Sequence, residues 1–589
     1  MAALSLVPSV YFNIKLYGAV CDGIHDDTSA IASTLAALGP SDGTIIISGT
    51  CKVTSTISYS LSANQHVIIE GVGNAKIVST IAEPGGESGI FAFTGDSGAT
   101  ARLTIRNLVI SHTNSGLGNL DGIYVQPLNY GSGGTQSLAN IELDNVRITG
   151  ASLYGCRLLG VLGGKISNCL MNSNRNAGLG LTGCIDIEIE GGDYSSNVTG
   201  GLTGDYGITL TSSSLLPYSK NILFEGVQAN NNGRKGIDVH HGHNIHMFGN
   251  TTVGNGYCGI YAVMEDSTKD VGDITIIGNT IDQTGGNNTL INYCINVGTF
   301  GTTGALSPGA FIVSNNTING VDAGAATSAA IRVMSATTGA APDRVVITDN
   351  TIKKGSGSSG WPILTDNALA IPYLEIANNI IHTASCAQGV IVQAATDVVC
   401  TGNDLRIDGG TPTYGINIVS TANALVTSNQ INGQAPSTLA ITNTSTTHLV
   451  RANTQNGVAL ADTARTAPFT VTGGLTVDAF GHLLSLATGT PTLTAVNANV
   501  VNQVVSGNDV RGTITFDIQT GTLAAASALF TVNFAQAYGS APVPMTTNAS
   551  NQTTSAFYVT AQGTSTFVVR NSAALAVLTG YKINYMAMG

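Results

Sequence analysis

The feature that most constrains this chain is a short motif that keeps returning. An apolar-alternating strand runs into Asn, then a polar residue, then an aliphatic one. It is seen at Asp144-Asn145-Val146, Gly249-Asn250-Thr251, Gly278-Asn279-Thr280-Ile281, Asn315-Asn316-Thr317-Ile318, Asp349-Asn350-Thr351-Ile352, Asn378-Asn379-Ile380, Gly402-Asn403-Asp404-Leu405 and Ser428-Asn429-Gln430-Ile431. A second motif, Gly-Ile-x-Val or a near relative, interleaves with it. Copies start at Gly122, Gly155, Gly178, Gly207, Gly236, Gly259, Gly389 and Gly415, and weaker ones at Cys294, Ala330 and Leu439. Successive copies lie about 23 to 37 residues apart. A period of that length marks a solenoid, in which each unit buries its apolar face on the next.

The strands inside each unit alternate with period two, so the solenoid is built of strands rather than helices. One coil reads as strand, Asn turn, strand, loop, Gly-Ile strand, loop. Asn suits the turn because it tolerates left-handed backbone angles. Stacked Asn amides can also hydrogen-bond from coil to coil. About twelve coils are expected, at about 4.8 Å each. The longer intervals read as insertions that leave the coil as loops.

Charge and cysteine content narrow the function. Charged residues are only 10% of the chain and the formal net charge is −12. That argues against nucleic acid, which calls for a basic patch. The nine cysteines lack zinc-ligand spacing, so they read as buried free thiols, with no metal or cofactor expected. No apolar run is long enough to span a membrane. The start, Met1-Ala-Ala-Leu-Ser-Leu-Val-Pro8, lacks the basic lead of a secretion signal, so synthesis in a cytoplasm is expected.

A solenoid must cover its ends. Asp26-Asp27-Thr28 can cap a short helix through Leu38, with Ile31, Leu35 and Leu38 on one face, followed by the strand Thr44-Ile45-Ile46-Ile47. The segment from Asn13 to Ile31, with Gly18-Ala19-Val20-Cys21-Asp22-Gly23, then Asp26-Asp27-Thr28 and Ala30-Ile31, closely resembles the opening signature of pectate-lyase-superfamily β-helix proteins. Many bacteriophage tailspikes and capsule depolymerases are among these. The signature usually has Gly where this chain has Cys21. With the coils, the resemblance spans about residues 12–455. It implies an all-β protein: a right-handed parallel β-helix with a short N-terminal capping helix. Motifs of particular enzymes do not carry over. The calcium-binding carboxylates and arginines of pectate lyases have no match. His241-Gly242-His243 inverts the polygalacturonase Gly-His-Gly, and Asn-Thr-Asp is missing.

Three regions are expected: a cap over 1–60, the β-helix over 61–455, and a C-terminal β-sandwich over 456–589, with 456–470 as linker. The last region carries longer alternating strands at Gly512–Ile518, Phe530–Phe534, Phe557–Thr560 and Tyr581–Tyr585, and no Asp or Glu after Asp517. Phe534, Tyr538 and Pro542-Val543-Pro544 resemble the trimerisation or carbohydrate-binding domains of tailspikes.

Stacking the Gly-Ile strands by their glycines gives an outward row of Tyr124, Arg157, Gly180, Thr209, Asp238, Tyr261, Asn296 and Arg332, expected to be exposed. The next outward row holds Gln126, Leu159, Thr182, Thr211, His240 and Val263. The richest stretch is Gly233-Arg234-Lys235-Gly236-Ile237-Asp238-Val239-His240-His241. Asp238 and His240 share one face, about 6.6 Å apart along the strand. Register sets Arg234 beside Asp205 and Tyr257. Glu265 and Asp266 open the following loop. Glycoside hydrolysis needs two carboxyls about 5 to 9.5 Å apart, and Asp205 and Glu265 start about 13 Å from Asp238. The expected catalytic group is therefore Asp238 with Asp205, Glu265 or Asp266, and His240. The expected glycan contacts are Arg234, Lys235, His241, Tyr257, Tyr261, Arg157, Tyr124 and Asn296. A lyase using His240 or a tyrosine with Arg234 or Lys235 is the alternative, and a glycan-binding fibre without activity is another. Glu188, Glu190 and Glu225 read as a solvated face, and Trp361 as packing.

The resemblance implies a homotrimeric tailspike of a virion, made in the host cytoplasm. It would hydrolyse a bacterial capsule, exopolysaccharide or O-antigen and dock through a tail or baseplate adaptor. Nucleic acid and membrane are not expected partners.

Overall fold

The computed structural model describes residues 10–588, apart from 83, 85, 97, 114–117, 199–203, 265–270, 285–292, 300–307, 321–327, 336–340, 355–359, 368–369, 385, 387, 394, 410–411, 420–422, 434–438, 444–446, 461–462, 465–468, 472–474, 478–482, 486–491, 508–510, 520–522, 534–542, 549–556, 563–565 and 572–577. Glu265 and Asp266 lie outside the described residues, as do Phe534, Tyr538 and Pro542. Two compact units emerge: residues 1–446 with 450–462, and residues 447–449 with 463–589.

The first unit is a parallel β-helix. Each coil lays one strand on each of three sheets, as in Gly242–Phe248, Thr251–Val253 and Cys258–Met264, followed by Val271–Ile277, Thr280–Asp282 and Tyr293–Thr299. The Gly-Ile strands form a fourteen-stranded sheet running from Ile57–Ser60 to Leu439–Asn443. That is two rungs more than the twelve coils expected. The strands Ile57–Ser60 and Ser88–Thr94 join the sheet ahead of the first clear repeat, through pairs such as Phe91 with Ile123. The inward aliphatics Ile123, Leu158, Leu179, Ile208, Ile237, Ile260, Ile295 and Ile331 are fully buried. Burying such a side chain stabilises by about 1.5–3 kcal/mol, and repetition multiplies that along the stack. Among the described residues no helix is long and apolar enough to cross a membrane.

Turn and ladder fall to two successive residues. The left-handed position is Asn315, Asp349, Asn378, Ser428 or a glycine such as Gly249, Gly278 and Gly402. The next residue is the ladder Asn. In Asn250, Asn279, Asn316, Asn350, Asn379, Asn403 and Asn429, Nδ2 donates to the Oδ1 of the following rung at 2.9 Å. In the earlier coils Asn107, Asn145 and Asn168 occupy the left-handed position itself, and apolar Leu108, Val146 and Cys169 stand where the ladder would be. A second, shorter amide ladder joins Asn197, Asn232 and Asn255.

The opening signature becomes a set of ties. Asp27 is buried and its carboxylate accepts from the Val20 and Cys21 amides at 2.7 and 3.2 Å. It stands at the N-cap of the helix Thr28–Leu38 without capping it by side chain. Asp26 instead accepts from the Thr28 amide at 3.1 Å and reaches the Thr54 hydroxyl at 2.6 Å. Ile31, Leu35 and Leu38 are the buried face of that helix. Cys21 has a positive φ of 53°, which explains why the signature favours Gly there. The cysteines are not all free thiols: Cys21 and Cys51 form a disulfide, while Cys156, Cys169, Cys184, Cys258, Cys294, Cys386 and Cys400 are free and buried. The two partners lie on facing segments, where the Thr50 amide donates to the Cys21 carbonyl at 3.0 Å.

In the second unit two four-stranded antiparallel sheets share one core. Arg511–Ile518 and Leu578–Met588 belong to one sheet, Ala528–Asn533 and Phe557–Gln562 to the other. Phe516 stacks on Tyr581 with centroids 5.3 Å apart and meets Phe530 of the opposite sheet edge-on at 5.3 Å.

Candidate active site

The outward row has the register its spacing implied. Tyr124 pairs with Arg157, and the row continues through Gly180, Thr209, Asp238, Tyr261 and Asn296 to Arg332. It is not an exposed row. Tyr124, Thr209, Asp238, Tyr261 and Asn296 are all buried. The cover comes from a second line of side chains on the same face, at the residue before each motif glycine. Tyr154, Ala177, Tyr206, Lys235, Cys258 and Tyr293 follow one another there. Strict alternation would point this position inward, alongside Ile237. The glycine breaks the alternation: a Cβ on Gly236 would fall 2.6 Å from the Gly259 carbonyl oxygen. Residues on either side of the Gly-Ile pair thus turn to the same outer face.

This brings Lys235 and Asp238 together, both without exposed surface, with Nζ donating to Oδ1 at 2.9 Å. His240 Nε2 lies 2.7 Å from Asp238 Oδ2, and the Thr209 hydroxyl donates to the same oxygen at 3.2 Å. Lys235 Nζ is also 3.2 Å from His240 Nε2 and 3.4 Å from the centroid of the Tyr261 ring. Burial works to raise the Asp238 pKa, but His240 and Lys235 outweigh it and hold the carboxyl below its ordinary value. Around this group stand Tyr206, edge-on to His240 at 6.3 Å, and Tyr261, 5.7 Å from it.

Arg234 sits where register placed it. Its amide donates to the Asp205 carbonyl at 2.9 Å, and its carbonyl accepts from Tyr257 at 2.6 Å. Its guanidinium donates to the Tyr206 hydroxyl at 2.8 Å and lies 5.8 Å from the centroids of both Tyr206 and Tyr257. Burial pushes the Tyr257 phenol up. Asp205 is nearly fully buried, in a left-handed conformation, against Gly233, where a Cβ would fall 2.4 Å from Oδ2. His241 turns away and packs edge-on against Tyr218. Lys165 pairs with Glu188 and Glu190 on the largest sheet, and Trp361 packs with Tyr257 against the Tyr261 and Tyr293 cluster.

Arg157 and Tyr124 are not part of the Asp238 group. They belong to a separate cluster in which Arg157 pairs with Glu87 at 2.7 Å and overlies Tyr154. Asp121, fully buried beside it, accepts from the Tyr154 amide at 2.9 Å. Burial raises the Asp121 pKa well above its ordinary value, against the pull of Arg157. Tyr154, Tyr206, Tyr293, Glu87 and Asp121 escaped the sequence reading. The signal for the tyrosines and Asp121 was present, since each but Tyr293 directly precedes a motif glycine.

Residues 65–281 match the family described as the right handed beta helix region. Over those residues the parallel stack carries the right-handed turn of that family. No curated protein matches the sequence. Among solved structures, the β-helix chain is similar to the Dettilon tailspike protein, at 13% identity over 98% of this chain and 94% of that one, TM-score 0.43. It is similar to the tailspike of Pseudomonas phage phi297, at 11% identity over 98% of each, TM-score 0.42. It is also similar to the A-module of a mannuronan C-5 epimerase of Azotobacter vinelandii, at 16% identity over 75% of this chain and 99% of that one, TM-score 0.39.

Proposed function

We propose that this chain is a tailspike-type depolymerase that cleaves a bacterial surface polysaccharide over the Lys235–Asp238–His240 group. The observation that carries this reading is the burial of Lys235 and Asp238 on the outer face of the sheet, with His240 only 12% exposed against them. An outer face needs no charge for folding, and burying ions costs several kcal/mol each unless they are paired. Such groups cluster at sites of chemistry. The surrounding tyrosines and Arg234 suit sugar rings and hydroxyls.

Elimination beside a uronate carboxylate is the chemistry we assign to this group. With Nε2–H given to Asp238, Nδ1 is the basic nitrogen; it is enclosed in this structure, so the substrate must uncover it on binding. His240 would take the proton next to the carboxylate, Arg234 would steady the charge that develops, and Asp238 would act as a positioning residue. Hydrolysis asks for two carboxyls with access to the bond. Asp238 has no exposed surface and Asp205 almost none, so that route would pass to Glu265 or Asp266. The assembly that accompanies this reading is a homotrimer on a virion tail, docked through an adaptor protein.

The test is incubation with a panel of bacterial polysaccharides, following chain length and ultraviolet absorbance. Shorter chains with a new unsaturated end support elimination. Shorter chains without one establish hydrolysis. Binding without shortening overturns cleavage altogether. Replacement of His240 by Gln is expected to lower kcat by about 10²–10⁴. Asp238→Asn should lower kcat and move the pH profile, with partial rescue by Asp238→Glu. Intact cleavage with an unmoved profile in Asp238→Asn would refute this site. Sedimentation equilibrium at the mass of one chain would refute the trimer.

A further inference from the structure

Arg157 and Arg332 stand in the same outward row as Asp238, three rungs to either side. At about 4.8 Å per rung each lies about 14 Å from Asp238, and the two are about 29 Å apart. They are built alike. Each guanidinium rests on a tyrosine, Arg157 at 5.1 Å from the Tyr154 centroid and Arg332 at 4.8 Å from that of Tyr293. Each side chain is 14% exposed and is paired with a half-exposed carboxylate, Glu87 in a loop for Arg157 and Asp366 on the following strand for Arg332. In both, Nε is enclosed and has no hydrogen-bond acceptor among the described residues.

A second observation marks each end as a place for a ligand. Beside Arg332 in register, Asn296 is fully buried on the outer face, and neither its Oδ1 nor its Nδ2 has a hydrogen-bond partner among the described residues. Beside Arg157, the buried Asp121 Oδ2 likewise has no partner, and it would accept from a sugar hydroxyl rather than meet the anionic group itself. Leaving such groups unmet is costly, and neither is needed to close the coil. Beside the Arg157–Glu87 pair, a cavity of about 250 Å³ opens on Glu87, Tyr124, Gln126, Ser58, Ser60 and Thr94, a lining of hydroxyls, an amide, an aromatic ring and the Glu87 carboxylate suited to a sugar.

We propose that the substrate is an acidic polysaccharide, bound along this face, whose anionic groups are held at Arg157 and Arg332 while the bond to be cut lies over His240. This rests on the cleavage reading above and names its substrate class. The chain as a whole has 35 acidic and 23 basic residues, so it repels polyanions except where cations line up. Here Arg157 and Arg332 stand in one row, about 29 Å apart. Glu87 and Asp366 hold the positions that carboxylates of the glycan would take. Half-exposed ion pairs are weak, so the exchange costs little. Arginine on an aromatic ring is already oriented for a planar carboxylate.

The test uses purified acidic capsular polysaccharides, the same chains after carboxyl reduction, and neutral capsular polysaccharides. Retention of the full-length protein on each is measured at low and moderate salt. Wild type is expected to bind acidic chains only, more weakly as salt rises. Arg157→Gln and Arg332→Gln should each weaken binding about tenfold, while Arg157→Lys keeps part of it. Glu87→Gln and Asp366→Asn alter exposed groups that the fold tolerates, and both should tighten binding severalfold by removing the competing carboxylate. Equal retention of reduced or neutral chains overturns the acidic-substrate inference and leaves cleavage standing by hydrolysis only, since elimination needs the uronate carboxylate. An absence of any effect of Glu87→Gln and Asp366→Asn on acidic chains overturns the inference as well. An acidic chain gripped through these arginines but never shortened supports this inference and overturns cleavage. Failure to retain any acidic chain overturns it.

Discussion

Replacement of Asn350 by Ala tests whether the amide ladder holds the coils. Its side chain makes four hydrogen bonds, all buried. Oδ1 accepts from the Asn316 amide at 3.0 Å and from Asn316 Nδ2 at 2.9 Å. Nδ2 donates to Asn379 Oδ1 and to the Val313 carbonyl, both at 2.9 Å. A hydrogen bond contributes about 1 kcal/mol net, and a buried group left without a partner costs about 1–3 kcal/mol. The Asn316 amide is stranded outright, while Asn316 Nδ2 keeps the Ile276 carbonyl and Asn379 Oδ1 keeps the Asn350 amide. The expected loss is therefore about 4 kcal/mol. Unfolding entropy near 2.1 cal/mol/K per residue gives roughly 1 kcal/mol/K for a unit of about 460 residues, hence a fall of about 4 °C if the β-helix melts as one body. A larger fall would mean that the coils around Asn350 open on their own, as a one-dimensional array allows. The assay is thermal unfolding followed by circular dichroism, with Asn432→Ala as the control, where a partly exposed amide gives up a single bond to Asp404. A fall no greater than that of Asn432→Ala would refute the ladder as a structural tie.

Two buried aspartates should give opposite pH signatures. The Asp121 carboxyl is raised, so its contribution is full below the unfolded value of about 3.9 and is lost as pH rises through the folded value. Asp121→Asn should gain on wild type by up to about 1.4 kcal/mol per pH unit across that window, read as a growing gap in Tm. The Asp238 carboxyl is lowered, so its contribution is present above about 3.9 and fades as pH falls through the folded value. The deficit of Asp238→Asn should accordingly shrink in acid, and a deficit that is constant with pH would contradict the pairing with His240 and Lys235. Gly236→Ala puts a Cβ 2.6 Å from the Gly259 carbonyl oxygen and 2.9 Å from Asn255 Nδ2. Overpacking of that kind costs about 1–3 kcal/mol and should also spread Lys235 from Asp238, lowering both Tm and activity. An unchanged Tm would show that the glycine is not what turns the strand.

The fold was legible because every coil repeats one decision. Inward Ile208, Ile237 and Ile260 alternate with outward Thr209, Asp238 and Tyr261 in plain period two, and the glycines align them. The line through Tyr206, Lys235 and Tyr154 was not legible, because the glycine after each breaks that period. Exposure was misjudged for the same reason: a reader who counts one outward row sees Asp238 bare, whereas the second row covers it. The disulfide between Cys21 and Cys51 depends on facing segments 30 residues apart in sequence, which no local spacing announces. Asn was credited with both turn and ladder, and the structure divides these between neighbours.

That division sets what kinds of change the scaffold can absorb. Twenty-four residues separate Asn379 from Asn403 and 37 separate Asn279 from Asn316, yet each pair meets through the same 2.9 Å bond. The amide contact restores alignment once per turn whatever length of chain was spent in between. Loops on either side of the Gly-Ile strand can therefore be lengthened, shortened or exchanged without moving the next coil. Residues that meet a ligand can diversify there independently of the scaffold, so transplanting such loops onto this β-helix is a practical way to redirect what it binds.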